Sequence, residues 1–214
     1  MKNLSRIAAF ALLTGCVTAA GTPPGPVQTP ATAVGGTTCD PPLTVPASIV
    51  ASVRAQFDAP GAPRPAVSPE DMVAYQKMQT EQREKDWAAT CYFRADNAAL
   101  AAQPAVADRV IFMGDSITQL CGLAEPQDFG PARVNRGISG QTTPQMLLRF
   151  KQDVLALKPK AVHILAGVND IAGNTGPTTL EDIENNIASM VELAKAHGVQ
   201  VILATPLPAG KFTW

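Results

Sequence analysis

The sequence predicts an α/β fold built on a parallel, doubly wound sheet, and three observations carry that prediction. From residue 109 onward, short apolar runs at 110–113, 132–138, 161–166 and 199–204 alternate with segments of helical period. The run at 161–166 is apolar enough to be buried on both faces, as a strand inside a parallel sheet must be. Each of the first three runs leads into a polar, glycine-containing loop and then toward a helix, the pattern of right-handed strand–helix–strand crossovers. In such sheets a ligand crevice lies beyond the carboxyl ends of the strands.

The elements follow in order along the chain. Its 214 residues suffice for one domain with extensions. A composition of 46% hydrophobic and 16% charged residues with net charge −1 supports a core and supplies no basic excess for nucleic acid. Residues 1–20 read as an export signal. Lys2 and Arg6 form a positive start, and the apolar run from Ile7 to Leu13 is too short to span a bilayer. Leu13-Thr14-Gly15-Cys16 resembles the bacterial lipobox, in which Cys16 is lipidated and attaches the protein to a membrane; the alternative is cleavage after Ala19 or Ala20. Both place the protein outside the cytoplasm, periplasmic or membrane-anchored, where disulfides persist. Of the remaining cysteines, Cys39 and Cys91 both precede the core and are the expected bridge; the alternative is three unpaired thiols, with Cys121 packed behind the turn at Ser116. Cysteine and histidine spacing offers no metal pattern.

Residues 21–65 hold a large share of the 19 prolines and 16 glycines and read as a Pro/Gly/Thr-rich tether. Residues 66–106 read as a helical extension. Ser68-Pro69-Glu70-Asp71 combines a capping serine, a first-turn proline and acids at the positive helix end. The helix should run to about Trp87, with Met72, Tyr75, Met78 and Gln79 at helical spacing, and a further segment through Cys91, Tyr92, Ala98 and Leu100 leads into the core. Trp87, Tyr92 and Phe93 are expected to pack rather than to form a ligand box. In the domain from 107 to 214, residues 142–157 read as an amphipathic helix with Met146, Leu147, Phe150, Val154 and Leu157 on one side. Thr178-Thr179-Leu180-Glu181 reads as a capping box opening a helix through Ile183, Ile187, Met190, Val191 and Ala194, which Gly198 stops.

Three loops should meet at one end of the sheet: Gly114-Asp115-Ser116, Gly137-Ile138-Ser139-Gly140-Gln141-Thr142 and Gly167-Val168-Asn169-Asp170. Ser116 falls where a helix begins, among backbone N–H groups without helical partners. Gly140 has no side chain to keep a substrate oxygen from its N–H, and Asn169 offers a side-chain amide as a further donor. A serine hydroxyl with converging donors is the arrangement that stabilises a tetrahedral oxyanion in acyl transfer. Gly114, Asp115 and Asp170 are the supporting residues. Taken singly, each has a structural role available: ending a strand, capping a helix, holding a turn.

The blocks Gly114-Asp115-Ser116-Ile117-Thr118, Asn135-Arg136-Gly137-Ile138-Ser139-Gly140 and Gly167-Val168-Asn169-Asp170 resemble, in order, the first three blocks of the SGNH or GDSL hydrolases. The loop "NRGISGQTT" and the helix after it are similar to the platelet-activating-factor acetylhydrolase-like branch. The resemblance covers about residues 107–210. It implies a flavodoxin-like three-layer sandwich, and hydrolysis of esters by an acyl or acetyl esterase or a lipase-like enzyme, with no metal and no cofactor. By motif position it implies Ser116 as nucleophile, with the Ser116 N–H, the Gly140 N–H and the Asn169 side chain as oxyanion hole. The chain lacks the Gly-x-Ser-x-Gly elbow of α/β-hydrolases, since Thr118 stands at the second glycine's place.

The family's general base belongs to an Asp-x-x-His motif, and this chain contains none. His163 sits four residues before Gly167, roughly 13 Å below the crevice at strand rise. His197 falls at a helix carboxyl end, on the opposite side of the sheet. The expectation is the front part of an esterase, its last strand and helix missing, with residues 201–204 a bare apolar edge and little turnover from residues 1–214 alone. Candidate partners are a small ester, an acylated carbohydrate or a lipid. Two alternatives stand beside the enzyme. One is an exported binding module that kept the crevice. The other is a phosphate-binding protein using Ser139-Gly140-Gln141-Thr142-Thr143 as an anion nest, although that loop has no lysine.

Overall fold

A computed structural model of the chain describes residue 39, residues 43–59 and residues 61–205. The export signal, Cys16, most of the tether before residue 43 and the final residues 211–214 lie outside the described residues.

The four predicted strands are present as β1 (Val110–Gly114), β2 (Arg133–Gly137), β3 (Ala161–Leu165) and β4 (Gln200–Ala204). They form one parallel sheet in the order β2-β1-β3-β4. Gly114 is in register with both Gly137 and Leu165, so β1, β2 and β3 end level with one another. The three loops therefore leave the sheet at one height, and the order switches direction between β1 and β3, where doubly wound sheets place their ligands.

Helix α4 (Ser116–Ala124) packs on β1 and β2, while α5 (Thr143–Asp153) and α7 (Leu180–Ala196) pack against each other. The core joins Ile111, Met113, Val134, Val162 and Ile164 of the strands to Met146 and Phe150 of α5 and Met190 and Ala194 of α7. Alternation along β1 sends Ile111 and Met113 into this core and Phe112 to the other face, where its ring meets Phe129 and His163. Helices on a parallel sheet make this the α/β sandwich that the period pattern predicts.

Local chemistry starts each helix. The Asp115 carboxylate accepts from the Ile117 N–H at 2.9 Å and opens α4. Thr142 and Gln145 form a reciprocal capping box at α5. At α7 the box pairs Thr179 with Asp182, one residue beyond the Thr178–Glu181 pairing expected from sequence; the backbone at Thr179 is still extended and the helix turns only after it. The segment 142–157, read as one helix, leaves helical geometry at Val154 and closes through a 3-10 turn, Leu155–Leu157, ended by Lys158 at φ +48°. Val154 and Leu157 stay buried through that break, which is why the apolar pattern ran on past it.

The extension contains α2 (Pro69–Lys85), capped by Ser68, and α3 (Arg94–Ala101). A further helix, α1 (Ala47–Asp58), lies within the stretch read as tether, so residues 47–58 are a correction to that reading. It packs on α4, and Arg54 Nε donates to the Ala124 carbonyl at 3.1 Å, satisfying an orphan acceptor at the α4 carboxyl end. No side chain caps α1, so no start signal for it is written in the residues that precede it. The Cys39–Cys91 bridge is formed and ties residue 39 to the turn before α3. No described cysteine is a free thiol, which removes the unpaired alternative. Among the described residues no helix is long and apolar enough to cross a membrane. At the β4 edge Ile202 and Leu203 are each 52% exposed.

Candidate functional site

The strands β1 and β2 stop on glycine because α4 crosses directly over them. A Cβ on Gly114 would lie 2.1 Å from Thr118 Oγ1, and one on Gly137 would lie 2.2 Å from the backbone nitrogen of Gln119. Any larger residue would lift the first turn of α4 off the sheet. That turn carries Ser116 as its first residue, half-buried at the positive end of the helix.

Beneath it Asp115 is fully buried. One carboxylate oxygen caps Ile117, and the other lies 3.5 Å from Asn169 Nδ2. Burial pushes its carboxyl up to about 6; hydrogen bonds from the Ile117 and Asp115 backbones oppose the rise and the nearby Asp170 adds to it.

The second loop is bonded at nearly every step. The Ile138 N–H donates to the Gly114 carbonyl, Ser139 N–H to Gln119 Oε1, Gln141 N–H to the Ile138 carbonyl, Thr142 N–H to Gln145 Oε1 and Thr143 N–H to the Asp170 carboxylate. Only the Gly140 N–H engages no acceptor among the described residues of this loop, and the same holds for the N–H of Ser116 in the first. Gly140 turns at φ +78°, the left-handed region that costs glycine nothing. Apart from that of Gly140, the N–H donors of the would-be anion nest are committed to the protein's own oxygens, one of them a carboxylate, so a phosphate would find a single free donor there.

Asn169 opens the third loop in a short helix, α6 (Val168–Ile171), after Gly167 at φ +108°. Its Nδ2 donates to the Gln141 carbonyl at 2.9 Å, and its Oδ1 accepts from Asn174 Nδ2 at 3.0 Å. Asn174 also donates to the Gly140 carbonyl at 3.2 Å. One amide therefore reaches the neighbour of Ser116 and the neighbour of Gly140 at once. Asp170 faces elsewhere: it accepts from Thr143 Oγ1 at 2.5 Å as well as from the Thr143 N–H, pinning the third loop to the start of α5.

Neither histidine belongs to this cluster. His163 lies in the middle of β3 with its ring 5.4 Å from Phe112, its Nδ1 without a hydrogen-bond partner and its pKa lowered by burial. His197 ends α7, its Nδ1 2.8 Å from the Leu193 carbonyl. Among the described residues no group of histidine, cysteine or carboxylate side chains could hold a metal.

Several residues that hold the site are absent from the sequence reading. Arg149 is fully buried; its guanidinium donates to the carbonyls of Gly114 at 3.3 Å and Arg136 at 2.9 Å, to Gln141 Oε1 at 2.6 Å and to Asp153 at 3.0 Å. It gathers the ends of β1 and β2 and the second loop around one cation. Its spacing of four from Asp153 on the face of Phe150 was the available signal. The turn 87–90 docks on the same loop through glutamines: Gln145 to the Trp87 carbonyl, Gln141 to that of Ala88 and Gln152 to that of Thr90. Tyr92 is buried and Phe93 lies under the Arg136 guanidinium, as packing residues, whereas Trp87 is 46% exposed on a groove shared with Tyr75, Gln79, Ser139 and Gly140.

Comparison with known proteins agrees with the α/β fold. Residues 112–214 match the model of the GDSL-like Lipase/Acylhydrolase family. A GDSL-like lipase of Bacteroides thetaiotaomicron is 45% identical, with a TM-score of 0.57 over 60% of this chain and 63% of that one. An acetylxylan esterase of Geobacillus stearothermophilus is 29% identical over 131 residues, 46% of this chain and 59% of the esterase. An uncharacterized lipoprotein of Bacillus subtilis, YqeF, is 38% identical over 78 residues, 35% of this chain and 32% of the lipoprotein. The chain thus spans less than two thirds of the length of each of these relatives. In strand order and in these matches, residues 112–214 are similar to the GDSL-like lipase/acylhydrolase family.

Proposed function

We propose that this chain supplies the nucleophile and the oxyanion donors of a serine ester hydrolase. The observation that carries the reading is the pair of backbone N–H groups at Ser116 and Gly140, which engage no acceptor among the described residues, with Asn169 bridging the two loops. In this reading Ser116 Oγ attacks the ester carbonyl, and the oxyanion accepts from those two N–H groups and from the Asn169 Nδ2 hydrogen that otherwise makes only the long 3.5 Å contact to Asp115; the alcohol departs with the serine proton, and water releases the acid from the acyl-serine. The chain contains no Asp-x-x-His, and neither described histidine reaches the crevice. Without a base in place acylation of Ser116 is slow. Covalent labelling, rather than turnover, is therefore the sensitive measure.

The acetylxylan esterase relative supports an acetylated carbohydrate as the substrate class, and the lipoprotein relative supports an exported, membrane-tethered location. Placement in the platelet-activating-factor acetylhydrolase-like branch rests on "NRGISGQTT". The test is incubation of the purified chain with a fluorophosphonate probe and mass analysis of the labelled peptide. Label on Ser116, absent in Ser116→Ala, is the expected result. No label on the folded protein, or label that survives the substitution, would refute the reading.

A further inference from the structure

We propose that Gln119 is a positioning residue that holds the Gly140 N–H in line with Ser116, a role that rests on the reading of those two residues given above. Gln119 lies three residues beyond Ser116 on α4 and is 9% exposed. Its Oε1 accepts from both the N–H of Ser139 at 2.9 Å and the Oγ of Ser139 at 2.5 Å. Its Nε2 donates to the Tyr92 hydroxyl at 2.9 Å, and that hydroxyl reaches the Leu43 carbonyl at 3.4 Å. One primary amide thus joins the helix that starts at Ser116, the residue before Gly140, and the N-terminal extension.

The geometry makes a specific demand on this amide. The peptide unit between Ser139 and Gly140 carries the one N–H of its loop that engages no acceptor among the described residues. Nothing bonded to that N–H fixes its direction, so its direction depends on the peptide units on either side. On the far side Asn174 holds the Gly140 carbonyl and Asn169 the Gln141 carbonyl. On the near side the Ser139 N–H is held by Gln119 alone. Removing the amide releases one side of the bracket while the β1–β2 register and the buried Arg149 contacts remain. Because Gln119 belongs to the Ser116 helix, it also couples the loop's position to that of the nucleophile. Glutamine suits the place since it accepts from Ser139 with one atom and donates to Tyr92 with the other.

The experiment pairs two readouts on the intact chain and on Gln119→Leu and Tyr92→Phe. The first is the concentration dependence of fluorophosphonate labelling at Ser116, which separates the maximal rate from the half-saturating concentration. Gln119→Leu should lower the maximal rate about 10- to 100-fold with the half-saturating concentration unchanged, since a donor displaced by about an ångström loses its alignment. Tyr92→Phe, which removes only the amide's other partner, should fall between that variant and the intact chain. The second readout is amide hydrogen exchange, which requires no chemistry at Ser116. In Gln119→Leu, exchange at residues 139–141 should accelerate while that of β3 stays as it was. Equal maximal rates in all three proteins would overturn the proposal, as would unchanged exchange at 139–141 or a uniform rise that includes β3. If the intact chain takes no label, the nucleophile assignment fails, and the exchange readout alone judges whether Gln119 holds the loop.

Discussion

Ser116 and Gly140 stand apart from their neighbours by what their backbone N–H groups do not bond. A buried or half-buried N–H without a protein acceptor is uncommon because it forgoes a hydrogen bond. Two of them in adjacent loops at a helix start are suited to a ligand oxygen. Asn169 is the residue that keeps those loops together, through Gln141 on one side and Asp115 on the other. Asn169→Ala should lower the rate of Ser116 labelling by about 100- to 1000-fold, the usual effect of losing an oxyanion donor, with a circular dichroism spectrum like that of the parent. A rate within a factor of two of the parent would show that the amide donates only to protein. Asp115 makes a separate prediction. Its carboxyl titrates near 6 in the folded protein, above its value in an unfolded chain, because burial disfavours the charge. Its contribution to stability is therefore fully present below about pH 4 and is lost as the pH rises through 6. Asparagine keeps an oxygen for the Ile117 N–H and has no charge to bury. Relative to the parent, Asp115→Asn should gain stability between pH 4 and pH 7 in urea titrations, by on the order of 2–3 kcal/mol. Parallel stability curves for the two proteins across that range would contradict it.

At the scale of elements, α5 shows what a periodic pattern can and cannot convey. Met146 and Phe150 follow the helical stripe and are fully buried against the sheet, whereas Leu148 points away and is 62% exposed. Phe150→Ala should cost about 3–5 kcal/mol through lost burial and the cavity left behind. Leu148→Ala should stay within about 0.5 kcal/mol of the parent. Chemical denaturation of both variants checks the pair, and similar losses would mean that the stripe does not face the core as described. The same stripe also carries Arg149, which a count of apolar residues passes over. It is buried because Asp153 and three oxygens of the β1, β2 and Gly140 segments meet its donors, and these lie as far as 35 residues away in sequence. Helix α1 was hidden for the opposite reason. It sits between prolines, has no side-chain cap, and among the residues whose burial is described buries only Ile49, so its place is set by α4 and by Arg54 at the α4 carboxyl end.

Over the whole molecule, the level ends of β1, β2 and β3 bring three separate loops to one end of the sheet, and the N-terminal extension docks beside them. The Cys39–Cys91 bridge and the glutamine contacts at 87–90 dock that extension, so it behaves as part of the site's wall rather than as a spacer. At the far side of the sheet β4 presents Ile202 and Leu203 half-exposed. An apolar parallel edge of this kind favours pairing between copies. Ile202→Lys should lower concentration-dependent self-association in sedimentation experiments, and identical sedimentation of parent and variant would remove the edge as its cause.

The amino-acid order by itself determined the strands, the helix that starts at Ser116, the cap at Ser68, and the identity of Ser116, Gly140 and Asn169 as candidates. Each of these is written in residues a few positions apart, where steric period and local hydrogen bonding act. Only the tertiary structure decided that Asp170 anchors α5, that Gln119, Asn174 and Arg149 hold the loops, and that Trp87, Ala88 and Tyr92 of the extension dock beside them. Those contacts join residues tens of positions apart, and a hydrogen bond between distant side chains leaves no periodic trace in the chain that encodes it.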